Sequence, residues 1–310
     1  MRKMAVIYNP VATGMRKLSL ERVRKLFSKR WKTDLLESKK AGDTPILVRK
    51  ANEDYDWIVT MGGDGTMGEA VRALNKVPQH GVYSHIPVGT TNDIANNFGM
   101  RGYDPYTLIE KMTDSPDLKM IKMDALEVNG QAVGYISACG AFTDIPYRTP
   151  RILKKLFGTF GYYAMAGMMG PEIIHDLIKK PLKLRYYRNN RLYETEALTL
   201  LVSNSRNFAG LNLYPKASIS DGKFEVAILK KIPFAKLLDF GLEVTNYKDG
   251  NLKLEDYADY IDYFQTDNFK VMIETEKDAL NNDGDEYRTD LRKVRYDIKK
   301  KIKVIVPKIK

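Results

Sequence analysis

Ile58-Val59-Thr60-Met61-Gly62-Gly63-Asp64-Gly65-Thr66-Met67-Gly68-Glu69 opens as a short apolar strand, breaks into a glycine turn and restarts as a helix. Glycines at a strand end reach backbone angles that other residues resist, and leave no side chain in a ligand's way. The N–H groups exposed there, with the helix N-terminus behind them, suit a phosphate. Thr66 and Glu69 fit a capping box, which predicts that the helix starts there. Asp64 is the one charge inside the turn. A carboxylate beside a phosphate repels it unless a cation lies between them, so Asp64 points to Mg2+ or to proton transfer. The plainer alternative is a tight turn followed by a capped helix.

Working outward, strands and helices alternate. Met4–Tyr8 reads as a buried strand and runs into the turn-forming loop Asn9-Pro10-Val11-Ala12-Thr13-Gly14. Helical spacing follows over Met15–Arg30, a strand over Thr33–Glu37, and a helix near Pro45–Asn52 with Asp43 or Thr44 as its cap. After the glycine turn and its helix comes a strand at Val82–Val88, then Gly89-Thr90-Thr91-Asn92-Asp93 and a short helix capped by Thr91 or Asn92. The pattern predicts a doubly wound, Rossmann-like parallel sheet with ligands at the strand C-terminal ends. Three polar loops, at Asn9–Gly14, Gly62–Thr66 and Gly89–Asp93, fall at one sheet edge.

Composition narrows the classes. A chain of 310 residues suggests two domains. Cys139 is the only cysteine, which excludes an internal disulfide and fits a reducing compartment. The uncharged run Phe157 to Pro171 holds four glycines and falls short of the roughly 20 apolar residues of a membrane span. The net charge of +11 favours an anionic partner. Residues 292–310 carry nine Lys/Arg against Asp297 alone. No nucleic-acid motif appears, and the basic residues are not interleaved with an aromatic platform, so nucleic acid is not the expected partner.

Three motifs in order, Asn-Pro-x-x-x-Gly from Asn9, Gly-Gly-Asp-Gly-Thr with Glu69, and Pro-x-Gly-Thr-x-Asn-Asp from Pro87, resemble the diacylglycerol kinase catalytic domain of the bacterial soluble lipid kinases, relatives of the sphingosine and ceramide kinases. Ser220-Asp221-Gly222-Lys223-Phe224-Glu225-Val226 and Asn282-Asp283-Gly284-Asp285 resemble later segments of that family. A Walker loop and protein-kinase signatures are absent. The resemblance implies an ATP- and Mg2+-dependent transfer of the γ-phosphoryl group to a lipid hydroxyl, with diacylglycerol as the default acceptor.

It also implies positions. Asn9, Pro10, Val11, Ala12, Thr13, Ser38, Gly63, Asp64, Gly65, Thr66, Glu69 and Thr90 match nucleotide-binding residues, with Asn92 and Asp93 counted beside them. Asp64, Asp93 and Asp124 would form an acidic network around the nucleotide and its cation. Ser218, Asp221 and Lys223 match a structural Mg2+ site, to which Asp124 is added as a further candidate ligand. The catalytic base falls at Asp285, with Asp283 the alternative. The family writes Asp-Gly-Glu there, so Asp285 reaches one methylene less far. Phosphoryl transfer to an alcohol needs a phosphate cradle, a neutralising cation and a carboxylate to take the hydroxyl proton, and these positions would supply them.

The rest predicts a mostly β, sandwich-like second domain with a helical insertion. Asp124–Val128 and Ala132–Cys139 flank Asn129-Gly130, and Leu182–Arg188 and Leu192–Val202 flank Asn189-Asn190, both in hairpin style. Phe224–Leu229 and Phe269–Ile273 add strands, Pro233–Leu238 a short helix, and Val294–Asp297 with Ile302–Val306 two terminal strands. Pro150–Ile178 reads as helical, either core or a lipid-facing hairpin. The expected division is 1–123 for the nucleotide, 124–290 for the lipid, and 291–310 packing back on the first domain. An exposed edge strand could pair across a homodimer. The expected setting is cytoplasmic, at the anionic inner face of the membrane without spanning it. Other readings are a kinase of the same superfold acting on NAD or a sugar, and a non-enzymatic nucleotide or lipid sensor or transport accessory. His80, His85 and His175 share no ligand-like spacing and read as structural or surface residues. Cys139 reads as buried filler.

Overall fold

The computed structural model describes residues 2–100, 102–114, 118–140, 181–208, 210–214, 216–233, 236, 254–275 and 279–309. The Pro150–Ile178 segment and His175 lie outside these, as does most of Pro233–Leu238. Two compact units are present: Met1–Ala125 with Lys300–Lys310, and Leu126–Lys299.

The first unit is α/β. Strands β1 (Lys3–Tyr8), β2 (Lys32–Glu37), β3 (Trp57–Gly62) and β4 (Val82–Pro87) are all parallel, in the order β2-β1-β3-β4. The register sets Ala5 beside Asp34 and Ile58, and Ile58 beside Tyr83. β3 is buried along its whole length. Continuous apolar runs of this kind belong to parallel strands covered on both faces.

The helices begin where local backbone chemistry allows rather than where periodicity alone suggests. The helix read over Met15–Arg30 is split: Met15–Lys17 is a separate 3-10 turn, Leu18 is extended, and α1 (Leu20–Ser28) begins when the Ser19 hydroxyl accepts the Arg22 N–H at 3.2 Å. α2 (Asp43–Asp54) follows Gly42 at φ 86°, a left-handed angle that suits glycine. The Asp43 carboxylate does not cap α2; it accepts the Lys39 and Lys40 amides and closes the loop before it. α3 (Asp64–Asn75), α4 (Asp93–Asn96) and α5 (Pro105–Asp114) are the further α-helices of the first unit among the described residues.

The second unit is mostly strand. β5 (Leu118–Val128) enters it from the first, then come β6 (Gln131–Ala132), β7 (Ile136–Gly140), β8 (Leu182–Arg188), β9 (Arg191–Ser203), the two-residue β10 (Asn207–Phe208) and β11 (Leu211–Asn212), β12 (Phe224–Lys230), β13 (Ile261–Thr266), β14 (Asn268–Glu274), β15 (Ala279–Asn282), β16 (Asp285–Arg288) and β17 (Val294–Pro307). Thirteen-residue β9 is the hub: its first half pairs β8, and its second half lies between β7 and β12. Asn129-Gly130 and Asn189-Asn190 all take positive φ, as the two hairpin turns require. The arm after Asn129-Gly130 divides, because only β6 stays with β5 while β7 moves to β9 and β15. Leu184, Leu200, Val202, Phe224, Val226, Phe269 and Tyr296 lie in the core of this unit.

The terminal strand is continuous where the sequence suggests two. Its beginning pairs β14 in the second unit, and Val304 pairs Tyr83 on β4 in the first. There Lys300 Nζ donates to the Leu74 and Asn75 carbonyls, each at 3.0 Å, and to that of Val77, which satisfies the end of α3.

Candidate active site

The loops after β1, β3 and β4 are bound into one edge. The Asn9 amide donates to the Met61 carbonyl at 3.0 Å, Gly14 to Val88 at 2.8 Å, and Val88 to Gly62 at 2.8 Å. Side chains add to this frame. Asn9 Nδ2 lies 3.4 Å from the Thr66 hydroxyl, and Asn9 Oδ1 accepts the Val11 amide at 3.1 Å. The Thr13 and Thr90 hydroxyls are 3.2 Å apart. Ser38, buried after β2, donates its amide to the Tyr8 carbonyl and shares a hydroxyl contact of 3.1 Å with Thr44. Along Pro10, Val11, Ala12 and Thr13, Val11 and Thr13 are exposed and Pro10 and Ala12 half-buried.

The glycines differ in what holds them. A Cβ on Gly62 would stand 2.2 Å from the Thr66 hydroxyl, and one on Gly89 would stand 2.4 Å from the Gly63 Cα. Thr66 of the same turn therefore excludes a side chain at Gly62, and packing of the third loop on the second excludes one at Gly89. Gly65 is different: it lies exposed in the first turn of α3, and a Cβ there would meet nothing within 4 Å.

The capping-box reading is corrected. α3 starts at Asp64, two residues before Thr66, with Gly63 as its N-cap. Thr66 is buried in the first turn with its hydroxyl over Gly62, and Glu69 is half-buried further along the helix. α4 has no side-chain cap either: Asn92, at φ 55°, turns back to bond the Gly89 amide and carbonyl at 2.9 and 3.0 Å.

Asp64 joins the second and third loops. Its Oδ2 accepts the Thr91 hydroxyl at 2.9 Å and its Oδ1 the Ile94 amide at 2.9 Å. A carboxylate has about four lone-pair sites, so capacity remains for a cation. Asp93 is fully buried in the first turn of α4. Asp124 is also fully buried, with Lys301 Nζ 2.8 Å from its Oδ1.

Beneath the β3 turn lies a buried polar chain that sequence reading passed over. The Thr60 hydroxyl is 2.6 Å from the Tyr83 hydroxyl and 2.8 Å from His85 Nδ1. The His85 ring also bonds the Gly62 backbone, and burial pushes its pKa down to about 3, so the ring is neutral. A neutral imidazole has one donor and one acceptor. With the ring N–H given to Gly62, Nδ1 accepts from Thr60, and Thr60 in turn accepts from Tyr83. The available signal was Thr60 within the apolar run of β3 and Tyr83 and His85 two residues apart on β4.

In the second unit, Asp283 and Gly284 form the turn of the β15–β16 hairpin, both at positive φ. The Asp283 carboxylate is held by three backbone amides, from Gly134 at 2.5 Å, Tyr135 at 2.8 Å and Ile136 at 3.2 Å. Asp285 is exposed at the start of β16, opposite Asn282. Asn282 Oδ1 is buried beside this turn with no hydrogen-bond donor among the described residues.

Ser218 and Asp221 stabilise their own loop, accepting the Ser220 amide at 3.4 Å and the Lys223 amide at 3.0 Å. Asp221 and Lys223 are exposed. One carboxylate with main-chain oxygens fits Mg2+ in kind, but among the described residues no group of three acidic, histidine or cysteine side chains is placed to hold a metal. Asp124 belongs to the first unit and these three residues to the second.

Comparison with known proteins supplies the class. The model of the diacylglycerol kinase catalytic domain matches residues 3–124. A diacylglycerol kinase of Bacillus subtilis is 30% identical over 315 residues, covering 100% of this chain and 98% of its own length. One of Staphylococcus haemolyticus is 31% identical over 242 residues, covering 76% of this chain and 70% of the relative. Among solved structures, one titled a diacylglycerol kinase of Bacillus anthracis aligns with a TM-score of 0.70 at 18% identity, over 98% of this chain and 97% of that one. The last likeness shows the two-part fold; the first three show descent. Together they make the chain a lipid kinase. It belongs to the diacylglycerol kinase family.

Proposed function

We propose that the chain transfers the γ-phosphoryl group of ATP to the hydroxyl of a membrane lipid, with diacylglycerol as acceptor and phosphatidic acid as product. The first unit is read as the nucleotide domain and the second as the lipid domain. The observation that carries the nucleotide reading is Gly65. A glycine inside a helix costs about 0.5–1 kcal/mol relative to alanine, and no described neighbour requires it. A phosphate resting on the first turn of α3 would.

In this reading the amides of the Asn9–Thr13, Gly63–Thr66 and Gly89–Thr91 loops bind the phosphates, and the Thr13 and Thr90 hydroxyls, 3.2 Å apart, bridge the rim. Ser38 and Asn92 shape the loops, Glu69 and Asp93 add charge behind them, and Asp64 holds the third loop while facing the cation. Mg2+, when bound, would neutralise charge on the transferring group. Asp285, exposed, takes the proton of the acceptor hydroxyl. Asp283, engaged by three amides, orients the turn. Asp124 neutralises Lys301, while Asp221, with main-chain oxygens near Ser218 and Lys223, is the place for a structural Mg2+. Among the described residues no helix is long and apolar enough to cross a membrane. The proposed working place is the membrane surface on the cytoplasmic side.

The test is phosphate transfer from labelled ATP with Mg2+ to diacylglycerol, monoacylglycerol, ceramide, sphingosine and undecaprenol in mixed micelles. Label in diacylglycerol, lost in Asp64→Ala and Asp285→Ala, is the expected result. Label confined to another lipid would overturn the acceptor, and label in none would overturn the reaction.

A further inference from the structure

The β8–β9 hairpin ends in a tip unlike the rest of the surface. Six large hydrophobic side chains are strongly exposed among the described residues, and three of them, Tyr187 at 61%, Leu192 at 53% and Tyr193 at 38%, lie here. Tyr187 and Leu192 are cross-strand partners, so their side chains leave the same face of the hairpin. β14 supports β8 only from Lys183 to Tyr186, and the last pairs of the hairpin extend beyond it. Both faces are exposed from Arg191 to Glu194.

The hairpin carries basic residues on β8 and beside its turn, and its acidic residues, Glu194 and Glu196, further along β9. Lys183, Arg185, Arg188 and Arg191 fall between Leu182 and Tyr193 with no acidic residue among them. The face of the hairpin opposite Tyr187 and Leu192 is pinned. Arg188 reaches Asp262 at 2.6 Å and lies over the Phe264 ring at 4.6 Å, and Tyr193 stacks on Tyr186 at 5.5 Å. Arg185 meets Glu194 at 3.1 Å with both side chains more than half exposed, a contact that water or another anion can replace.

We infer that this tip docks on an anionic lipid bilayer, with Tyr187 and Leu192 entering the interface and Arg185 and Arg191 meeting lipid phosphates. Tyrosine suits the headgroup boundary because one end is apolar and the other wet. Arginine can bury its stem while its guanidinium stays among the phosphates. A second copy of the chain is the poorer occupant, since a symmetric contact through the same tip would set arginines against arginines. The inference rests on the lipid kinase reading and adds the surface by which the chain reaches its substrate's membrane.

The test compares the full chain with two variants, Tyr187→Ser combined with Leu192→Thr, and Arg191→Gln. Sedimentation is measured with vesicles of equimolar phosphatidylcholine and phosphatidylglycerol. Turnover is measured on diacylglycerol within those vesicles and on a short-chain diacylglycerol dispersed as monomers. The double variant should bind vesicles about ten-fold more weakly, turn over vesicle lipid correspondingly less, and match the unchanged chain on the dispersed lipid. Arg191→Gln should weaken binding less and flatten its dependence on salt. Unchanged vesicle binding overturns the inference. So does equal loss on the dispersed lipid, which would assign the tip to the substrate site, and so does conversion of a dimer to a monomer, which would assign it to a second copy. If the unchanged chain phosphorylates diacylglycerol neither in vesicles nor dispersed, the catalytic reading falls, while vesicle sedimentation still judges the tip.

Discussion

The Thr91 hydroxyl donates to Asp64 Oδ2 at 2.9 Å, so the acid of the glycine turn holds the loop that follows β4. One carboxylate is thus asked both to hold a loop and to face a cation, and two substitutions separate the tasks. Thr91→Val removes only the loop bond and should cost about 1 kcal/mol of stability with a modest rise in KM for ATP. Asp64→Asn should lower kcat by about a hundred-fold or more. Equal losses of turnover in the two variants would reduce Asp64 to a loop fastener.

The two acids of the late turn should part in the opposite sense. Asp283→Asn places an amide N–H₂ where three backbone donors converge, and should lower stability by about 1–3 kcal/mol, read as a shifted urea midpoint. Asp285→Asn, on an exposed side chain, should leave that midpoint unchanged and abolish turnover. Asp285→Glu should retain turnover if reach is adjustable at this position. A dead but stable Asp283→Asn with an active Asp285→Asn would exchange the roles.

Gly65→Ala tests the phosphate cradle without disturbing packing. The added methyl enters open space and favours the helix, so stability should rise by about 0.5–1 kcal/mol. KM for ATP should rise several-fold. A stabilised variant with unaltered KM would show that no phosphate lies on the first turn of α3.

His85 supplies a pH dependence. Its pKa falls on folding from 6.5 to about 3, so the unfolded chain takes up a proton between those values and the folded chain does not. The stability held by the neutral ring is complete above about pH 6.5 and is lost as pH falls toward 3, by about 1.4 kcal/mol per pH unit once the window is entered. His85→Gln keeps a donor near the Gly62 carbonyl and cannot titrate. Its urea midpoint should change less between pH 7 and pH 5, and its KM for ATP should stay near that of the unchanged chain. His85→Asn should match the flatter pH response but raise KM, because its amide falls short of the glycine turn.

The ligand edge was legible because each loop announces itself with glycine, hydroxyl and amide residues at the end of an apolar run. Helix starts were less so. Asp43, Thr66 and Asn92 all look like caps, yet each is used to fix a loop, which only the folded neighbours reveal. β13 (Ile261–Thr266) escaped because its tyrosine, phenylalanine and glutamine do not alternate cleanly. The run Lys299-Lys300-Lys301 reads as a break between two strands. In the fold its charges find partners on alternating sides: Lys299 meets Glu127 and Asp297, Lys301 meets Asp124, and Lys300 closes α3. A strand can carry three successive cations when each has a place to go, and sequence spacing does not contain those places.

Ser84 on β4 gives its hydroxyl proton to the Ile305 carbonyl at 2.6 Å, across 221 residues of chain. During synthesis, β4 therefore waits with one edge open while those residues are made, about 10–40 s at ordinary translation rates. An open parallel edge is a template for wrong partners. Order of synthesis and order of completion run in opposite directions, and the earliest-made strands are those that a nascent-chain chaperone would have to guard longest.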